Sequence, residues 1–151
     1  MAIEQTLATS FKVEILDGIH NFGTGVIRAT TAADTFKIAL YTATATLDAT
    51  TTVYTTDNEV TGTGYTAGGN ILTISQVPTS TNTETVAWLN FTDTSWPSST
   101  FSTAGALIYN STQGNKAVAV LNFGGTKTTA NQTFTVTFPA SSSSAALIRI
   151  T

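Results

Sequence analysis

The chain reads as an all-β protein, a single-domain antiparallel β-sandwich or jelly roll of seven to eight strands with a short N-terminal arm. Three observations point there. Thr fills 34 of 151 positions, and its branched Cβ favours strands while its hydroxyl keeps an outward face wet without charge. Charged residues make up only 10% of the chain, too few for helix surfaces laced with Glu–Lys pairs. Several runs alternate or stay apolar for strand length, separated by Gly, Pro, Asn and Ser clusters at sandwich spacing. One domain suffices at this length, with residues 1–22 as an arm and residues 23–151 as the β domain.

Two stretches form the spine. Ala104–Asn110 and Lys116–Phe123 are apolar on both faces, as strands covered from above and below must be. Ser111-Thr112-Gln113-Gly114-Asn115 joins them and supplies a Gly for the positive φ of a hairpin connection.

From the start, Ser10 can cap a short helix in which Phe11, Ile15 and Ile19 fall on one side and Gly18 is the stop. This segment either tucks under the sheet or leaves the domain to pack on a partner. On the second reading Phe11, Val13, Ile15, Leu16, Ile19 and Phe22 are the partner-binding residues. His20, the single histidine, suits a structural or surface imidazole better than a base. Residues 23–33 read as a loop or weak strand. Asp34–Thr42 is a clear strand, with Phe36, Ile38 and Leu40 on one face and Lys37, Ala39 and Tyr41 on the other. Residues 43–61 read as a surface excursion.

Gly62-Thr63-Gly64-Tyr65-Thr66-Ala67-Gly68-Gly69 resembles a phosphate loop only superficially. No Lys-Ser/Thr follows and no helical pattern begins, so the glycines read as turns or a bulge beside a strand. Asn70–Val77 is a strand ended by Pro78, and Glu84–Phe91 is the next. Trp96-Pro97-Ser98-Ser99 reads as a corner. Gly124-Gly125 reads as a strand break, Thr126–Asn131 as a polar turn, and Gln132–Phe138 as the cleanest alternation in the chain. Ala145–Ile150 is the last strand.

The chemistry that would mark an enzyme does not gather. There is no cysteine, hence no disulfide framework or thiolate metal site. No Gly-x-Ser-x-Gly elbow accompanies His20. Asp48, Asp57, Glu59, Glu84 and Asp93 sit in no context that sets a carboxylate pair apart, and no calcium loop occurs. The reading is a non-enzyme with no cofactor. A net charge of −3 with scattered Lys and Arg argues against nucleic acid. No apolar run approaches the roughly 20 residues of a membrane span, and Met1–Gln5 opens no secretory signal. Trp88, Trp96 and the four tyrosines offer a sugar-stacking platform as an alternative to core packing.

Several stretches together resemble a family of small structural proteins of tailed bacteriophages, the capsid decoration or cement proteins. They are Phe11–Leu16 with Gly18–Phe22, Asp34–Thr42, Asn58–Val60 with Gly62–Gly69, and Ala104–Asn110 with Lys116–Leu121. The resemblance implies a virion protein on the head surface, assembled in the host cytoplasm, that binds the major capsid protein and itself, commonly as a homotrimer. A tail, collar or fibre role and a carbohydrate-binding module are the alternatives.

Overall fold

The computed structural model describes residues 3–8, 11, 15, 18–23, 33–80 and 86–150. Within them the protein is all-β, with two antiparallel sheets. The strands are β1 (Thr6–Leu7), β2 (Phe36–Tyr41), β3 (Asn70–Leu72), β4 (Ile74–Ser80), β5 (Ala87–Phe91), β6 (Thr94–Asn110), β7 (Lys116–Val136) and β8 (Ile148–Ile150). The larger sheet runs β1-β7-β6-β2-β3 and the smaller β4-β5-β8.

The expected spine is at the centre. β6 and β7 pair from Asn110↔Lys116 to Gly105↔Asn122, flanked by β1 and β2. Ala104–Asn110 and Ala117–Leu121 are buried throughout, because each strand is covered on both faces. The connecting turn places Gly114 at φ +66° and Asn115 at φ +60°, the left-handed region that favours these two residues. β2 is likewise buried on both faces apart from Lys37.

The two sheets meet through aromatic rings. Phe36 of β2 stacks on Phe22 with centroids 4.2 Å apart, and Phe91 of β5 closes on Phe36 at 5.8 Å. A second cluster lies under the far halves of β6 and β7, where Phe134 contacts Phe101 at 5.4 Å, Trp96 at 6.0 Å and Phe123 at 6.1 Å.

Several boundaries differ from expectation. Asn70–Val77 is two strands, because Thr73 carries the chain from one sheet to the other. Pro78 does not end β4, which continues to Ser80. β4 is an outer strand of its sheet and its register shifts between Gln76 and Thr79, the two situations that tolerate a missing N–H. The expected corner at Trp96–Ser99 is a bulge inside β6, with Ser98 at φ +49°. Gly124-Gly125 and the polar run to Asn131 do not break the chain into two strands. The residues between Asn122 and Lys127 face only Ala104 across the ladder, so the glycines form a wide bulge and β7 continues to Val136. The last strand is confined to Ile148–Ile150. The expected helix after Ser10 and the segment 23–33 lie mostly outside the described residues, as does the start of the strand expected at Glu84–Phe91.

Candidate functional site

Polar side chains with chemical capability gather in two internal networks. The first surrounds Glu59, whose side chain is 8% exposed. Its Oε1 accepts from the Tyr65 hydroxyl at 2.6 Å and the Gly68 N–H at 2.7 Å, and its Oε2 accepts from the Tyr54 hydroxyl at 2.6 Å. The Tyr65 oxygen in turn accepts from the Leu40 N–H at 2.9 Å. Tyr109 stacks on Tyr54 with centroids 4.6 Å apart and donates to the Gly68 carbonyl at 2.8 Å. Tyr41, fully buried, donates to the Thr55 carbonyl. All four tyrosines of the chain therefore converge on residues 53–69 and hold them against β2 and β6. The stretch 43–61, read as a surface excursion, is partly core, since Ala45, Leu47, Glu59 and Val60 are buried.

This arrangement favours neutral phenols. Burial raises each tyrosine first, and the Glu59 carboxylate raises each further, through its hydrogen bond at Tyr54 and Tyr65 and through its charge at Tyr41 and Tyr109. Tyr109 is pushed up to about 12, and the other three lie well above the ordinary value of about 10. The Gly-rich loop serves this clamp. Gly69 sits at φ +66°, where a Cβ would fall on the Ile38 carbonyl.

The second network ties the N-terminal segment to the central hairpin. Asn110, fully buried at the end of β6, accepts at Oδ1 from the Thr112 and Gln113 N–H groups. That fixes its Nδ2 as the donor toward Asp34 Oδ2 at 2.8 Å and His20 Nδ1 at 3.0 Å. His20 Nδ1 is therefore an acceptor, with its proton on Nε2. Asp34 also accepts from the Asn21 N–H at 3.1 Å and from Gln113 Nε2 at 3.2 Å. His20 is buried against Phe11 at 4.8 Å between ring centroids, as a structural imidazole.

Of the residues singled out for partner binding, Phe11 is fully buried and Phe22 is 6% exposed, both in the protein's own core. Ile15 and Ile19 are half-buried, and Val13 and Leu16 lie outside the described residues. Ile15 joins Gly18, Phe22, Pro78, Leu89, Ile148 and Ile150 around an apolar groove of about 280 Å³ between the N-terminal segment and the smaller sheet. Ile150 is half exposed beside it.

Trp96, at 2% exposure, packs under Tyr65 and Phe134, so it presents no stacking surface for a sugar. The tyrosines face Glu59 instead. No group of three or more His, Asp or Glu able to hold a metal occurs among the described residues. No helix among them is long and apolar enough to cross a membrane. Sequence reasoning named Glu59 only as an ordinary surface acid. Its hydrogen-bond partners Tyr54, Tyr65 and Gly68 lie within nine residues of it, but Tyr41 and Tyr109, which complete the cluster, come from β2 and β6, and the single local signal was an acid within a Tyr- and Gly-rich stretch. Comparison with family models, with curated proteins and with solved structures finds no match to this chain.

Proposed function

We propose that this chain is a non-enzymatic structural protein of a tailed-phage virion, decorating the head and stabilising it by binding the major capsid protein. The observation that carries the reading is where the reactive groups are used. Both oxygens of Glu59 and both oxygens of Asp34 accept hydrogen bonds from the protein itself. His20 and all four tyrosines are held in the same two networks. These groups act as fasteners of a stiff shell of strands, which is what a decorating protein needs.

The stretches that resemble the phage family support the same reading, because they build the spine. They supply β2, the Glu59 clamp and the central hairpin. Binding to a repeating lattice lets modest contacts act together. The groove beside Ile15 and Ile150 offers apolar surface for the capsid contact, with Ile19 near it in the same segment, while Phe11 and Phe22 anchor that segment from inside.

Purified protein should co-sediment with heads that lack it, and Ile150→Asp should lower occupancy with the fold retained. Ile150 is exposed, so the substitution leaves the core alone. Failure of the unmodified protein to bind heads overturns the reading. Binding confined to tails or fibres moves the protein to those structures instead.

A further inference from the structure

The segment with the cleanest alternation in the chain lies on an edge that none of the described residues pairs with. Gln132–Phe138 contains no charge, no Pro and no Gly, the composition that pairs most readily with another strand. Its first five residues end β7, which pairs on one side with β6 through Ser99↔Gln132, Trp96↔Phe134, Ser95↔Thr135 and Thr94↔Val136. On its other side β7 carries β1 only at Ala119 and Val120. Beyond Asn122, the described residues make no backbone bond to that flank. A long unpaired edge is a template that folded proteins blunt or cover.

The other outer strands are guarded. β4 carries Pro78 and two register shifts. β3 and β8 are three residues long, and β8 has Arg149 at its centre. β1 is two residues long, and the flank of β6 beyond β2 is interrupted by Pro97, by Ser98 at φ +49° and by the bridge from Thr63 to Thr100. None can match five regular residues, so the segment of this chain that fits this edge in length is the same edge of another copy. Charge agrees with that choice. Lys127 is the one charged residue in Lys127–Val136. Any antiparallel self-pairing centred between Thr129 and Thr135 sets it opposite an uncharged residue. By contrast, self-pairing of β8 about its middle sets Arg149 against Arg149.

A hollow of mixed lining, which includes Thr135 and Thr137, lies at the same end of β7. Phe123 and Phe134, both half-buried, lie with Lys127 and Val136 around its volume of about 360 Å³.

We infer that two copies of this chain associate through the free edge of β7, antiparallel across a two-fold axis, with Gln132–Val136 as the paired segment. The larger sheets of the two copies then become one. This sets a two-fold unit where the family resemblance implies a three-fold one. The pairing stands independently of the virion reading, since a dimer absent from particles would leave it intact.

The test is mass in solution with edge-directed substitutions. Thr133 and Thr135 are exposed, and Thr133→Lys with Thr135→Lys places charges along the edge. The unmodified protein should sediment at twice 15.7 kDa and the double variant at the single value. Ser95→Lys with Ser102→Lys, on the exposed face of β6, should keep the dimer. A monomer or trimer of the unmodified protein overturns the inference, as does a dimer that survives in the β7 variant. Hydrogen exchange on the unmodified chain decides the matter if that variant does not fold. The amides of Gln132–Val136 should lose protection on dilution, and protection that is unchanged by concentration is the contrary result.

Discussion

Removing the Glu59 carboxylate should cost a large part of the protein's stability, in a graded way. Glu59→Ala leaves the half-buried Tyr65 hydroxyl and the buried Gly68 N–H without an acceptor, while Tyr54, the less enclosed of the two half-buried tyrosines, can turn outward. Hydrogen bonds to a charged acceptor contribute about 1.5–3 kcal/mol each. Two of them, less the relief of no longer burying a carboxylate, give a loss of about 3–4 kcal/mol. Glu59→Gln keeps an oxygen where Tyr65 and Gly68 converge and loses only charge and the Tyr54 acceptor, a cost of about 1–2 kcal/mol. Urea unfolding followed by tryptophan fluorescence measures both against a total of about 5–15 kcal/mol. An alanine variant within about 1 kcal/mol of the parent, or a glutamine variant as unstable as the alanine one, refutes the clamp.

Three further outcomes follow from the same geometry. The tyrosines are raised above their unfolded value of about 10, so the stability they contribute is complete below that pH. It is lost as pH rises through the folded values, Tyr109 reaching about 12. Absorbance at 295 nm should stay flat past pH ~10 and then rise together with unfolding, whereas ordinary titration of a folded chain contradicts the burial argument. Asn110→Asp sets a second carboxylate against Asp34 Oδ2, now 2.8 Å away, so thermal melts should show it less stable than Asn110→Ala at neutral pH and partly recovered in acid. Equal melts at both pH values would contradict the network. Gly69→Ala should cost more than about 3 kcal/mol because backbone must move, while Gly114→Ala, at the same φ with nothing near its Cβ, should cost about 1 kcal/mol. Equal losses would show that the approach to Ile38 is not tight.

What the sequence made legible was whatever neighbouring residues decide. The central hairpin needed only two doubly apolar runs and a Gly-bearing turn, and β2 only its nine-residue pattern. Where pairing decides, local signals misled. Gly124-Gly125 has the chemistry of a turn, yet β6 continues beside it and the pair becomes a bulge. Pro78 has the chemistry of a stop, yet an outer strand spares it the missing N–H. β1 is two residues long and exists only because β7 is there to receive it. The Glu59 cluster was the least legible, because Tyr41, Tyr54, Tyr65 and Tyr109 meet only once β2, the excursion and β6 have packed. The N-terminal segment divides similarly. Its apolar residues were visible, but Phe11 and Phe22 reach the core through the Asn110–Asp34–His20 network, which joins residues 76 and 90 positions apart.

The proposed role, a fastener on a phage head, is tested most directly by cryo-electron microscopy of purified particles. Density for a module of one five-stranded and one three-stranded sheet, repeated over the outside of the head and touching the major capsid protein, is the expected result. Particles whose heads carry no such density contradict it.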